Sequence, residues 1–461
     1  MPTFTKRSTM PASVAALAAY HEQPGALDRL VPPWEKVKVL ERDGDCYEGR
    51  VLLSVPAGPI RLRWEAVHSG GVRGSFFIDR QARGPFASYQ HRHSFLPSVA
   101  AHSSELHASA PQASVLDDTI EWAAPFGALG AAIGGIQQRL DSGFAFRHVR
   151  TAEDLRRHAE FPRGPLRILI SGASGLVGQQ LIPFLTVGGH TVIRLVRRTP
   201  KPGEAFWDPA TNVIDLSGVG PIDAVIHLSG ESVSKRWTPA RKAEILRSRE
   251  QSTLLLANAI AKLPNKPEVF VSASAVGWYG NRGTERLTEA SEPGTTGFLP
   301  EVCRVWEAAT EPARVAGIRT VNLRIGVVVS ARGGALAELL PPVRAGVGGV
   351  VGSGEQMFPW IAIDDLVHMI HWLLGTKLDG AVNATAPNPV NNREFMKAVG
   401  KAVHRWTIFP LPAPVVRLLF GEMGQEVLLE GQNAVPERAL AAGFRFTFVT
   451  LDSALRWELG P

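Results

Sequence analysis

The chain has 461 residues; 49 basic and 43 acidic side chains give it a net charge of +6, and 45% of it is hydrophobic. That length calls for two or three domains with sizeable cores, and no stretch nears the roughly 18 consecutive apolar residues of a membrane span. The positive charge is mild and dispersed, without the dense Lys/Arg footprint of a nucleic-acid binder.

The chain opens on basic residues followed by an Ala/Val/Leu-rich stretch, but lacks the sustained apolar core of a signal peptide. Cys46 and Cys303 belong to no metal-ligand spacing and no disulfide framework, so a reducing cytoplasm is the simplest compartment. Short β-like runs follow at residues 47–55, 60–68, 73–78 and 88–95, separated by Gly/Pro turns. A helical pattern over residues 129–146, with Gly130, Gly134 and Gly135 near its start, closes the segment. Many antiparallel strands and then one long helix predict an α+β module over residues 1–150, its curved sheet wrapped on the helix. Such a sheet can enclose an apolar cavity, although Trp34, Trp64, Phe76, Phe86 and Trp122 serve equally well as ordinary core. His91 and His93 are two apart and share a face of their strand. A metal would need further ligands from elsewhere in space, so a polar strand face is expected there and no metal site. Residues 98–114 read as a surface loop or a loosely specified hairpin. The charged connector 151–165, ending FPRGP, marks the domain boundary.

Residues 166–178, LRILISGASGLVG, are the most informative stretch. The apolar run 166–170 reads as a buried parallel strand, and Leu181, Ile182 and Leu185 continue as a helix. Between them Gly172, Gly175 and Gly178 can supply a tight turn, close approach of a phosphate, and close helix–strand packing. Strand, glycine turn and helix N-terminus together predict dinucleotide binding, with contacts from Gly172, Ser174, Gly175, Leu176, Val177 and Gly178. The second strand, 191–196, runs into Arg197 and Arg198, where an NAD site would usually hold a carboxylate for the ribose 2′-hydroxyl. Paired guanidinium groups suit a 2′-phosphate, so NADP is expected as the cofactor.

Strands at 222–228, 269–272 and 319–329 alternate with helices at 241–261 and 301–315, which predicts a parallel, doubly wound sheet up to about residue 385. Leu228, Ser229 and Gly230 lie just past a strand's carboxyl end, where backbone can approach a ligand, and Glu231 and Arg236 follow for ribose and phosphate. After the 269–272 strand, the hydroxyl of Ser274 can orient a substrate oxygen and the phenol of Tyr279 can act as proton donor. From about residue 391 the tail reads as a small helical cap.

The glycine turn, the Leu228–Ser229–Gly230 loop and the Ser272–Ser274–Tyr279–Gly280 stretch resemble the extended short-chain dehydrogenase/reductases, in their sugar-nucleotide-epimerase-like branch. Residues 359–365, PWIAIDD, are similar to that branch's late strand-to-helix turn. The segments around Trp207, Trp237, Arg249 and Cys303–Glu307, with Gln432–Pro436 and Gly443–Phe444 in the tail, resemble an epimerase-like subgroup with a C-terminal domain of unknown function. Residues 32–35 and 84–88 resemble an N-terminal polyketide-cyclase/START-like (SRPBCC) domain found in longer members. The resemblance implies a START-like helix-grip domain at 1–150, a linker at 151–165, a Rossmann-type NADP-binding domain at 166–390 and a small C-terminal domain at 391–461. It also implies that Val327, in the RIGV run 324–327, meets the nicotinamide amide through its backbone.

The sequence departs from that family where the chemistry sits. Anchored on Glu307, the catalytic tyrosine and lysine positions hold Leu299 and Cys303. Two functions follow as expectations. One is an NADP(H)-dependent oxidoreductase acting on a small carbonyl or alcohol; the other is a non-catalytic NADP(H) sensor or scaffold with an apolar ligand in its N-terminal domain.

Overall fold

The computed structural model describes residues 2–98, 113–125 and 135–461. The loop expected at 98–114 and the glycines Gly130 and Gly134 therefore lie almost wholly outside the described residues. Contacts divide the chain into two compact units: Met1–Gly164 with Pro183–His190 and Gly460–Pro461, and Pro165–Ile182 with Thr191–Leu459.

The N-terminal unit is strand-rich. Among the described residues its seven strands are β1 (Thr3–Met10), β2 (Lys38–Gly44), β3 (Gly49–Ala57), β4 (Ile60–His68), β5 (Phe76–Arg83), β6 (Ser88–Pro97) and β7 (Ser114–Ala123). They form one antiparallel sheet in the order β1-β7-β6-β5-β4-β3-β2. Helices α1 (Val14–Glu22), α2 (Ala26–Leu30) and α3 (Ile136–Ala159) complete it. The β1 and β2 strands escape a reading by hydrophobic alternation because they are edges: only Phe4 and Met10 of β1 are buried, and no residue of β2 is. Helix α3 starts and ends later than the periodicity suggests. Gly135, in the left-handed region at φ 53°, is its N-cap, and the charged stretch expected as a linker is helical through Ala159. Phe144 of this helix joins Phe4, Tyr89, Ile120 and Trp122 in one core cluster, so α3 lies on the sheet.

The second unit is an α/β sheet of eight strands. In chain order these are β8 (Arg167–Ser171), β9 (Thr191–Val196), β10 (Glu204–Asp208), β11 (Val213–Asp215), β12 (Ala224–His227), β13 (Val269–Ala275), β14 (Arg319–Ile325) and β15 (Gly380–Ala384). The spatial order is β11-β10-β9-β8-β12-β13-β14-β15, parallel throughout except for the β10–β11 edge. Burial on both faces explains the uninterrupted apolar run of β8, whose Ile168, Leu169 and Ile170 have no exposed surface. Helix α4 (Leu176–Val187) follows β8, and α5 (Pro239–Ala261) follows β12. Thr238 caps α5 by accepting the Arg241 N–H at 3.2 Å, and Pro239 occupies the first turn.

Two details differ from the expected pattern. The helix expected over 301–315 breaks into α6 (Phe298–Ala308) and α7 (Glu311–Val315), with Pro312 in the first turn of the second. The strand expected over 319–329 leaves the main sheet after Ile325, and Val327–Val329 pairs with Trp360–Ala362 instead. Residues of the tail pack on the preceding part of this unit: Phe395, Met396, Leu451 and Leu455 share a core cluster with Leu336, Leu340 and Trp360. No helix among the described residues is long and apolar enough to cross a membrane.

Candidate functional site

Strand order reverses between β9 and β12, on either side of β8, which opens a crevice at the carboxyl ends of β8 and β12. The three glycines of the turn there have three separate jobs. Gly172 has φ +74°, and a Cβ on it would sit 2.7 Å from the Leu228 carbonyl carbon and oxygen, so the two strand ends touch through bare backbone. Gly175 closes the turn by donating its N–H to the Gly172 carbonyl at 3.0 Å. A Cβ on Gly178 would lie 2.4 Å from the Gly172 oxygen, so only glycine lets α4 start this close to the strand. Among the described residues no protein acceptor meets the N–H groups of Leu176 or Val177, at the positive end of α4. Beside Gly175 a Cβ would meet only the Gly172 oxygen, at 3.3 Å. An exposed glycine backbone, unengaged donors and a helix N-terminus fit the diphosphate of a dinucleotide.

The arginine pair divides. Arg198 forks onto Glu204, with Nη1 and Nη2 donating at 2.7 and 2.6 Å, so its guanidinium is already engaged within the chain. That carboxylate is held down to about 2, chiefly by the Arg198 hydrogen bonds. Arg197 is exposed and makes no ion pair among the described residues. The expected pair is therefore one available cation and one occupied one.

On the other wall, Glu231 accepts from Arg241 at 2.7 Å, and Arg236 donates to the Leu418 carbonyl at 3.2 Å; both charges expected for ribose and phosphate have partners of their own. Leu228, Ser229 and Gly230 stay at the strand end as expected. Gly230 makes room for a residue that sequence reasoning assigned no role: a Cβ there would sit 3.3 Å from the Arg249 guanidinium carbon. Arg249 is buried, lies 4.7 Å over the Trp306 ring, and is lowered to about 10 by burial. Its position in the middle of α5 gave no signal beyond the Ser248–Arg249 resemblance. Val327 donates its N–H to the Pro359 carbonyl at 2.8 Å, so that donor holds the short strand pair.

The structure places Ser274 and Tyr279, the expected catalytic groups, in one internal hydrogen-bond network. Ser274 Oγ donates to Glu307 Oε1 at 2.7 Å. Glu307 is clamped by Arg324, whose Nε and Nη2 donate at 2.8 and 3.0 Å. Arg324 Nη1 donates to the Tyr279 hydroxyl at 3.2 Å, and that hydroxyl donates to Asn383 Oδ1 at 2.7 Å. Tyr279 has no exposed surface, and burial raises its pKa. Both hydroxyl protons are spent on an internal network that ties β13, α6, β14 and β15 together. Because Glu307, Arg324 and Asn383 come from distant segments, nothing local in the sequence announces it.

Helix α6 carries Leu299 and Cys303, the residues at the expected tyrosine and lysine positions. The Leu299 side chain lies 3.0 Å from where a Gly277 Cβ would be, and Cys303 Sγ lies 3.7 Å from it. Leu299, Cys303 and Glu307, four residues apart, thus form one stripe facing the end of β13. Leu299 packs with Trp237, Phe298 and Val302. Burial pushes the Cys303 thiol up to about 12, so it stays protonated and is neither base nor nucleophile at neutral pH. His227 bridges Ser171 Oγ at 2.6 Å and Thr253 Oγ1 at 3.0 Å beneath the crevice, and burial lowers it to about 3, keeping it neutral.

The tail braces this stripe from outside. Glu426 accepts the Phe298 N–H at 2.8 Å and the Leu299 N–H at 2.9 Å, capping α6. Asp365, from the PWIAIDD turn, accepts the N–H groups of Thr447 and Phe448 at 2.7 and 3.0 Å.

Comparison with known proteins places similarity on this geometry. Residues 168–385 match the NAD dependent epimerase/dehydratase family, and residues 411–458 match a domain of unknown function, DUF1731. An epimerase family protein of Mycobacterium tuberculosis is 40% identical over 291 residues, covering 62% of this chain and 96% of that protein. Human epimerase family protein SDR39U1 is 38% identical over 297 residues, covering 63% of this chain and 99% of its own. Its crystal structure with NADPH, of isoform 2, aligns with a TM-score of 0.59 at 36% identity over 64% of this chain and 99% of that one. A nucleoside-diphosphate sugar epimerase from Corynebacterium glutamicum aligns over 99% of this chain and 90% of its own, with a TM-score of 0.79 and 32% identity. That alignment takes in the strand-rich N-terminal unit as well.

Proposed function

The chain belongs to the epimerase family, and from that premise we propose that it binds NADP(H) in the β8–β12 crevice and acts as an oxidoreductase on a small carbonyl or alcohol. The glycine turn 172–178 carries this reading, because its bare backbone and the unengaged N–H groups opening α4 suit a diphosphate. The relative solved with NADPH supports the choice of coenzyme. Arg197 is the available partner for a 2′-phosphate, and Arg198 joins it only by releasing Glu204.

NADPH, when bound, supplies a hydride to a carbonyl carbon. Arg249 places a positive charge beside Gly230, while the expected tyrosine and lysine positions on α6 hold Leu299 and Cys303. The proton that completes reduction comes from water, since the Ser274 and Tyr279 protons are held by Glu307 and Asn383. For the N-terminal unit we propose a START-like (SRPBCC) ligand-binding module, on the strength of its seven-stranded antiparallel sheet and the 24-residue α3 lying on it.

The same inward-turned hydroxyls favour a second reading, an NADP(H) sensor without turnover. Incubation with 4-deuterated NADPH and a broad panel of carbonyl compounds separates the two. Deuterium in a product carbon supports the oxidoreductase; calorimetric binding of NADPH with no transfer supports the sensor. Absence of NADPH binding removes both.

A further inference from the structure

Strand register gathers a polar cluster in the middle of the N-terminal sheet. His68, Asp79 and His91 lie directly opposite one another across β4, β5 and β6. One row along, Phe77, His93 and Asp118 do the same across β5, β6 and β7. Side chains two residues apart share a face, so all six occupy one side of the sheet. Helix α3 covers it: Phe144 packs edge-on against His91, with ring centroids 5.1 Å apart, and His148 Nε2 reaches Asp118 Oδ2 at 2.8 Å.

The ring orientations converge. His91 Nδ1 is 3.2 Å from Asp79 Oδ2, and His93 Nε2 is 3.6 Å from the same oxygen. Asp79, His91 and His93 each offer a ligand atom, all within 4.8 Å of one another. A tetrahedral ion with bonds of about 2.0–2.1 Å sets its ligand atoms about 3.3–3.4 Å apart, between the two distances found here. The opposite nitrogens of both rings turn to a single carboxylate. His91 Nε2 lies 3.1 Å from Asp118 Oδ1, and His93 Nδ1 lies 2.7 Å from it, off the hydrogen-bond direction. A carboxylate behind two imidazoles is the outer arrangement that fixes the rings of a metal site. His68, facing Asp79, leaves its Nδ1 buried without a partner.

We propose that Asp79, His91 and His93 form a binding site for a first-row divalent cation, Zn²⁺ fitting the geometry, with Asp118 orienting both histidines from behind. Two imidazoles and one carboxylate match the nitrogen and oxygen preference of that ion and leave a fourth position for water or a ligand. The site is independent of the coenzyme crevice, which shares none of these residues.

The test uses the full chain, stripped with a chelator and titrated with Zn²⁺ against a chromophoric competitor. Saturable binding at micromolar or lower concentration is expected, with Tm rising as Zn²⁺ is added. Asp79→Asn and His93→Gln should weaken it by at least about tenfold, and Asp118→Asn by about 10–100-fold through ring orientation. Zinc-edge X-ray absorption on the unaltered chain, which needs no folded variant, should show only nitrogen and oxygen neighbours. No saturable binding, undiminished binding in folded Asp79→Asn and His93→Gln chains, or a sulfur neighbour overturns the proposal.

Discussion

The two units bury polar groups in opposite places. In the parallel sheet the strands β8 and β12 are apolar through their middles, Ile168–Ile170 and Val225–Ile226, and buried polar groups collect towards the carboxyl ends of the sheet: Ser171, His227, Ser274, Arg324 and Asn383. In the antiparallel sheet the polar groups stand mid-strand, with Asp79, His91, His93 and Asp118 flanked by Phe77, Phe95 and Trp122. A parallel strand covered on both faces has no side free for charge. An antiparallel strand alternates, and charges set across neighbouring strands can satisfy one another. The electrostatics diverge accordingly. His227 is lowered to about 3 by burial alone. Burial also works against His93, but Asp118 and Asp79 outweigh it and raise that ring to about 9.

The contrast can be broken most forcefully at Glu307. Glu307→Ala strands buried Arg324 without its carboxylate, and should cost about 3–5 kcal/mol in urea unfolding. A loss under about 1 kcal/mol would mean the network at the strand ends is not structural. Gly172→Ala comes next. The left-handed backbone and the contact with Leu228 should together cost about 2–4 kcal/mol of stability, and coenzyme binding measured by calorimetry should fall with it. Arg197→Ala touches binding alone: losing one charged contact should weaken NADPH by about 10–100-fold and leave NADH unchanged. Equal losses for both coenzymes would remove Arg197 from the 2′-phosphate.

The smallest effect per unit is in pH. His227 is neutral in the folded chain down to about pH 3, whereas the unfolded side chain takes up a proton near 6.5. Its contribution is fully present above pH 6.5. Below that, stability should decline by about 1.4 kcal/mol per pH unit until roughly pH 3. Urea titrations at pH 7.5 and 5.5 should show a steeper drop for the natural chain than for His227→Gln. Parallel drops would assign the acid sensitivity elsewhere.

What could be read in advance follows the same division. The glycine turn was legible because strand, turn and helix are contiguous, and each glycine answers to a neighbour within a few residues or to the adjoining strand end. The substitutions Leu299 and Cys303 were legible by spacing from Glu307. The closed network was not, since Ser274, Glu307, Arg324 and Asn383 meet only through the order of parallel strands. The carboxylate that takes Arg198 lies on the next strand, so strand pairing brings the two together. His91 and His93 declared their shared face through a two-residue spacing, but Asp79 and Asp118 reach them through register alone. The edges β1 and β2 and the true span of α3 were lost because exposed strands and charged helical turns carry little hydrophobic periodicity.

Glu426 lies inside the segment matched as a domain of unknown function, yet its carboxylate closes the first turn of the helix bearing Leu299 and Cys303. A boundary drawn by sequence families therefore runs through a working joint. Cutting the polypeptide between the two matched regions would leave the Phe298 and Leu299 N–H groups at the start of α6 without the Glu426 carboxylate.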